Sequence, residues 1–344
     1  MIEIALYIAG LAASAFMAFC IGANDAANPV DQAVGAGTLT LKRALFLFSL
    51  FTMTGALVQG RCVIKTLGAG IVPKIDIIAA LIAVVAAGAW VLTATLLGLP
   101  ISTSQSITGA VIGVGLAYAL RGLIRFDDIN WSVMIRILLS WITSPVVAIS
   151  LVVIFYSLFV KLERFLRARR YDSEKLFLIL HVVSVAFAAY AFGANDVANA
   201  TGVYLAVTQE YLGLPTEEAM FMLSALGGVF IAIGGFTLGY RVIRTTAFRV
   251  TRLDRPSGAA AGFSLALTVW LFTTIPYMIW GFGMPISTTH VSVSSIIGVG
   301  IARAKSLRGL NFKVVAAIII SWLLTVPMTI GIASCLYLVV RVSM

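Results

Sequence analysis

Apolar residues run along the chain in long blocks, among them 4–21, 44–60, 77–99, 137–160, 176–192, 219–240 and 259–280, and polar residues collect in the short stretches between. A helix of about 20 apolar residues crosses a hydrocarbon core of about 30 Å. A closed outer-membrane barrel would instead alternate over segments of about ten residues, and the blocks show no such period. The pattern predicts an all-α polytopic membrane protein. Block 4–21 follows Glu3 rather than a basic flank and leads straight into a polar phrase, so it reads as a membrane segment and not a leader.

The pattern also repeats. Gly22-Ala-Asn24-Asp25-Ala-Ala-Asn28 returns as Gly193-Ala-Asn195-Asp196-Val-Ala-Asn199, 171 positions later. Pro100-Ile-Ser102-Thr103-Ser104 returns as Pro285-Ile-Ser287-Thr288-Thr289 after 185 positions, and Ser140-Trp141 as Ser321-Trp322 after 181. Markers in the same order at nearly constant offset indicate an internal duplication. The expected organisation is a first repeat over 1–160, a hydrophilic linker over 161–175 and a second repeat over 176–344.

Each repeat has about five to six membrane segments, five if the stretch after the Ser-Thr motif crosses. An odd number turns the second copy upside down. Loop charges agree with this: linker 161–175 is strongly basic and therefore cytoplasmic. Outward from it, 61–76 (Arg61, Lys65, Lys74, Asp76) and 210–218 (Glu210, Glu217, Glu218) fall outside, whereas Lys42-Arg43, 241–255 and 303–313, with Arg303, Lys305, Arg308 and Lys313, fall inside. The expectation is a multi-pass cell-membrane protein of two inverted-topology repeats, both termini extracytoplasmic, with broken or re-entrant helices at a midplane site.

Composition narrows the partners. Of 344 residues 60% are hydrophobic and 11% charged, which no soluble domain of this size matches. The net charge of +10 lies in loops between spans, where it orients the chain and meets lipid headgroups, so no nucleic-acid partner is expected. Cys20, Cys62 and Cys335 lack metal-ligand spacing.

Two chemistries remain. A carboxylate in apolar sequence is costly in a bilayer and marks a functional site. Asn24, Asp25, Asn195 and Asp196 offer hard oxygen ligands for Na⁺, or a carboxylate for H⁺, and Gly22 and Gly193 would let the backbone unwind to add carbonyls. In the Ser-Thr motifs a proline heads a hydroxyl cluster and an apolar run, as where a helix begins in mid-membrane. Its unpaired N–H groups and positive dipole end make an anion site, to which Ser102, Thr103, Ser104, Ser287, Thr288 and Thr289 add donors for a tetrahedral oxyanion. His181 reads as a hydrogen-bonded core residue; His290 and Gln105 hold matching places that line the site or orient hydroxyls.

These doubled motifs closely resemble the inorganic phosphate transporter (PiT) family over nearly the whole chain, including Gly239-Tyr-Arg-Val-Ile-Arg244. The resemblance implies a secondary active transporter, not an enzyme, that carries inorganic phosphate with Na⁺, or H⁺, as coupling ion and has no other cofactor. It implies that Asp25, Asn28, Asp196 and Asn199 bind cation or substrate and that the six hydroxyl residues contact phosphate. A homodimer is an allowed assembly. The alternatives are a sulfate or related oxyanion symporter of the same family, a passive channel and, distantly, an intramembrane aspartyl protease built on the two aspartates. One departure stands out: Asn28-Pro29-Val30-Asp31 occupies the place of Asn199-Ala-Thr-Gly202.

Overall fold

A computed structural model describes residues 2–68, 71–73, 75–305 and 310–342; Lys74 and Arg308 lie outside these. Among the described residues the first half contains helices α1 (Ile2–Asp25), α2 (Ala27–Gly35), α3 (Leu41–Gln59), α4 (Arg61–Gly68), α5 (Ile77–Leu96), α6 (Thr103–Leu120) and α7 (Trp131–Ala168). The second contains α8 (Ser173–Thr201), α9 (Leu205–Leu212), α10 (Thr216–Leu238), α11 (Tyr240–Arg249), α12 (Arg255–Trp280), α13 (Thr288–Ala304) and α14 (Phe312–Val342). Among the described residues eight stretches, four in each half, are long and apolar enough to cross a membrane. The α6 and α13 helices begin at buried positions and bring the total to five segments per half.

Polar caps set several starts. Asp76 accepts from Ile78 N and Ala79 N at 2.9 and 2.8 Å, and Asp254 closes a capping box with Ser257. Two stretches expected as loops are partly helical. The α4 and α11 helices are short and basic, so their charge hides them from a hydropathy reading. The α7 helix continues through Lys161 to Ala168, and α8 resumes at Ser173.

Packing repeats with exchange between the halves: α1 lies on α10 as α8 lies on α3, and α6 lies on α14 as α13 lies on α7. At the first pair of crossings glycines let backbones touch. A Cβ on Gly22 would strike Ile231 O and one on Gly193 would strike Thr52 O. The two glycines expected to unwind their helices are therefore close-packing positions inside intact turns of α1 and α8. The discontinuities fall elsewhere: at Ala26 in the first half and over Gly202–Tyr204 in the second. Pro29 has no N–H to give the Asp25 carbonyl one turn back, which weakens the helix at the first break.

The α1–α2 and α8–α9 pairs run in opposite directions past each other. Tyr7 donates to Thr208 Oγ1 at 3.3 Å and stacks on Tyr211, and Gly10 abuts Tyr204. At the other end Gly258 lies against both Gln32 and His181. The connecting segments consequently sort to two ends of the bundle. One end joins 61–68, 71–73, 75–76, 121–130, 208–218 and 280–283, through Asn130 N to Ile71 O at 2.9 Å, the Arg61–Glu217 pair at 3.2 Å and Thr66 Oγ1 to Gly283 O at 2.8 Å. The other joins 36–43, 96–99, 161–175, 241–255, 303–305 and 310–313, through Arg255–Glu174 at 2.7 Å, Arg241 to Leu96 O at 3.4 Å and Asn311 N to Val250 O at 3.1 Å. Exposed Ile142, Val146 and Leu323 on α7 and α14 present apolar surface suited to lipid.

Candidate functional site

The first Asn-Asp phrase spans the break between α1 and α2, the second lies in the last turns of α8, and the two Ser-Thr motifs start α6 and α13, so four helix-end regions meet in the interior. All twelve expected site residues are buried, none more than 2% exposed. Asn24 is fastened three ways: Nδ2 donates to Thr95 Oγ1 at 2.9 Å and Leu99 O at 3.0 Å, and Oδ1 accepts from Ile101 N at 3.1 Å. Asn195 repeats two of these bonds, to Thr273 Oγ1 at 2.9 Å and Met284 O at 3.1 Å. Both asparagines thus pin the extended strand that leads into α6 or α13.

The motifs then interlock across the halves. Ser104 Oγ donates to Ile286 O at 2.8 Å, and in the matching place Thr289 Oγ1 lies 3.0 Å from Ile101 O. Thr103 donates to Asp25 Oδ2 at 2.7 Å and stands 3.4 Å from Asp196 Oδ1. Thr289 Oγ1 lies 3.1 Å from Asp25 Oδ1. Asn199 Nδ2 bridges Asp196 Oδ1 and Ser104 Oγ, 2.9 Å from each. Asn28 Nδ2 reaches Thr288 and Thr289 at 3.3 and 3.2 Å.

Ser102 and Ser287 have a different duty. Their hydroxyls accept from Gln105 N and His290 N, each at 3.2 Å, and so cap α6 and α13. The capped ends aim first-turn N–H groups at the place where the four other hydroxyls meet the aspartates.

The electrostatics are one-sided. Two wholly buried carboxylates approach a single hydroxyl, and no Lys or Arg is among the buried residues described. Beside them Asn195 Oδ1, Asp196 Oδ2 and Asn199 Oδ1 have no hydrogen-bond partner. Burying one charge costs several kcal/mol unless it is paired. Oxygens left bare within five residues of one helix are the donor set a hard monovalent cation takes. Among the described residues no group of three His, Cys, Asp or Glu offers a transition-metal site.

Residues outside the expected set complete the site. Thr95 and Thr273, which hold the asparagines, stand 178 positions apart near the ends of apolar spans, a repeat signal blurred by the neighbouring Thr93 and Thr274. The carbonyls of Leu99, Ile101, Met284 and Ile286 leave no such trace. His181 is a core residue, with Nδ1 2.9 Å from Phe177 O. His290 stacks on Trp322 with centroids 4.0 Å apart and has Nδ1 3.4 Å from Trp141 O, on the far side of α13 from the aspartates' network. Asp31 is also buried: Ser292 Oγ lies 3.4 Å from Oδ2, and Oδ1 has no partner.

Comparison with known proteins agrees with this geometry. A family model described as "Phosphate transporter family" matches residues 21–333. Relatives named "Putative phosphate permease" include one from Pyrococcus horikoshii, 33% identical with 93% of this chain and 94% of the relative covered. Another, from Chlamydia muridarum, is 29% identical with 95% and 96% covered. A solved structure described as "The sodium-dependent phosphate transporter" superposes with TM-score 0.82 at 29% identity, over 99% of this chain and 100% of that one.

Proposed function

The chain belongs to the phosphate transporter family, and from that premise we propose that it is a symporter that carries inorganic phosphate across the cell membrane with Na⁺ as the coupling ion. One observation carries the reading: two buried aspartates share the Thr103 hydroxyl at the starts of α6 and α13, with bare amide and carboxylate oxygens beside them and no basic side chain. Such a site repels an oxyanion until cations occupy Asp25, Asn195 and Asp196, and it holds cations better once the anion is there. Reciprocal coupling of that kind is what makes two solutes move together.

Phosphate would take the hydroxyls of Thr103, Ser104, Thr288 and Thr289, the amides of Asn28 and Asn199, and the helix ends that Ser102 and Ser287 cap. The hydroxyls nearest the helix starts already touch carboxylate oxygens. An oxyanion there meets a carboxylate, which favours phosphate that keeps a proton over sulfate that has none. H⁺ in place of Na⁺ is the second reading, because either aspartate can carry a proton.

The repeats, 1–160 and 176–344, are related by a two-fold axis in the membrane plane in this reading. Support comes from the opposite directions of α1–α2 and α8–α9 and from the sorting of segments to two ends. The end containing 36–43, 161–175, 241–255 and 303–313 carries seventeen Lys and Arg against four Asp and Glu. The other, with Glu3, 61–76, 121–136, 210–218 and Arg341, carries seven of each. The positive-inside rule makes the first cytoplasmic and leaves both termini outside. Alternating access follows from rocking one part of each repeat about the shared site.

The test is uptake of labelled phosphate and sulfate by proteoliposomes under separately imposed Na⁺ and pH gradients. Na⁺-driven phosphate uptake that excess sulfate leaves intact is expected. Flux indifferent to both gradients would sink symport.

A further inference from the structure

A cavity of about 360 Å³ opens at the end of the bundle assigned above to the outside, over the strand that leads into α13. Its walls include Lys65 of α4, Asn130 and Arg136 at the start of α7, and Trp280 and Phe282 after α12; Met284 and Pro285 form its floor. That floor is firmly held. Gly283 N donates to Cys62 O at 2.7 Å, Met284 N to Phe272 O at 3.1 Å, and Ser140 Oγ donates to Pro285 O at 3.1 Å. Pro285 precedes Thr288 by three residues, about 10 Å of extended chain. The cavity therefore adjoins the central hydroxyls without sharing a side chain with them.

Its charge is of one sign. Lys65 and Arg136 are its charged lining residues, both exposed, and neither is in an ion pair among the described residues. Arg61 and Arg125 at the same end do have carboxylate neighbours, Glu217 at 3.2 Å and Asp127 at 4.0 Å. Arg136 reaches over the Phe282 ring, 6.0 Å from its centroid, which leans the guanidinium toward the cavity. The pair is not a by-product of duplication, since Ala317 stands 181 positions after Arg136 where the second repeat would place its counterpart. An outer end with balanced charge thus has, in this cavity, a concave spot of unpaired positive charge beside the strand that leads to a site without any among the described residues.

We propose that this cavity is an outer collecting site for oxyanions, in which Lys65 and Arg136 concentrate phosphate before it passes to the hydroxyl cluster. This rests on the phosphate-transport reading for the identity of the anion, and on the cavity alone for its charge preference. Steering by two cations in a recess speeds encounter and leaves the affinity of the inner site unchanged. Neutralising them raises the KM for phosphate and leaves the maximal rate alone. The rise is about 3- to 10-fold at ~20 mM ionic strength and under about 2-fold near ~0.5 M, where screening lengths fall to a few ångströms.

Trp280 supplies a readout independent of transport, because it lines the cavity and is 62% exposed. Its emission is the difference between the parent protein and Trp280→Phe. Quenching of that component by iodide, divided by quenching by neutral acrylamide, measures anion accumulation. The Lys65→Gln/Arg136→Gln protein, made with and without Trp280→Phe, is expected to lose severalfold of this ratio at low salt and to show the KM rise. Arg244→Gln at the opposite end, 179 positions after Lys65, leaves the ratio unchanged. An unchanged ratio in the double variant overturns the proposal whatever transport does. A lowered ratio in a parent protein that takes up no phosphate supports the collecting site and removes the phosphate reading.

Discussion

Replacing Thr103 by Val tests the centre of the site with little change of shape. Thr103 is 1% exposed, and its hydroxyl donates to Asp25 Oδ2 at 2.7 Å and lies 3.4 Å from Asp196 Oδ1. Valine fills nearly the same volume and removes one donor from between two carboxylates. A hydrogen bond to a charged group is worth about 1.5–3 kcal/mol, and about 1.4 kcal/mol is tenfold in affinity. If that hydroxyl turns from Asp25 to phosphate when the site fills, the phosphate Kd measured at saturating Na⁺ rises about 10- to 150-fold. Equilibrium binding of labelled phosphate to purified protein measures this without a transport cycle. Thr93→Val is the control, since Thr93 is exposed and its hydroxyl bonds back to Ala89 O in its own helix at 2.8 Å; it leaves Kd unchanged. A Thr103→Val protein that folds and binds phosphate within about twofold of the parent would refute the assignment of that hydroxyl to the substrate.

Asp25→Asn and Asp196→Asn each abolish Na⁺-driven uptake while the protein still inserts, checked by proteoliposome flux and membrane-fraction yield; normal flux in either removes that aspartate from coupling. Gly22→Ala and Gly193→Ala place a methyl against Ile231 O and Thr52 O, so each lowers the thermal midpoint in detergent by an overpacking cost of about 1–3 kcal/mol. Asp31→Asn removes a buried carboxylate that faces the Ser292 hydroxyl at 3.4 Å and the Thr246 hydroxyl and raises that midpoint; a lower midpoint means that the carboxylate is compensated.

The doubled phrases pointed to the candidate site because offsets of 171 and 185 set the same polar residues twice in apolar surroundings. The twelve residues those phrases named are buried together. What hydropathy could not reveal was the part of the site made by backbone: the Leu99, Ile101, Met284 and Ile286 carbonyls come from extended strands whose side chains are ordinary. Short basic helices such as α11 read as loops because charge, not period, dominates ten residues. Gly22 and Gly193 misled for a physical reason: a missing Cβ permits both unwinding and close approach, and the partner backbone that decides between them lies about 200 residues away from Gly22 and 141 from Gly193.

The duplicated site is nonetheless unequal in its halves, and the inequality can be measured. Asn24 has both its amide hydrogens and its oxygen engaged, the oxygen by Ile101 N, whereas Asn195 makes only the two donor bonds and its Oδ1, like Asp196 Oδ2, has no partner. A carbonyl oxygen already committed to a backbone N–H is a poor cation ligand; a bare one beside a carboxylate is a good one. The same substitution should therefore do different things in the two copies. Asn24→Ala removes three hydrogen bonds of about 1 kcal/mol each, so its main effect is on stability, seen as a lower thermal midpoint with the Na⁺ concentration for half-maximal uptake little changed. Asn195→Ala removes two, costs less stability, and raises that Na⁺ concentration severalfold because an ion ligand is gone. Equal Na⁺ shifts in the two variants would mean that the Ile101 bond opens when the ion arrives, and that both copies bind sodium alike.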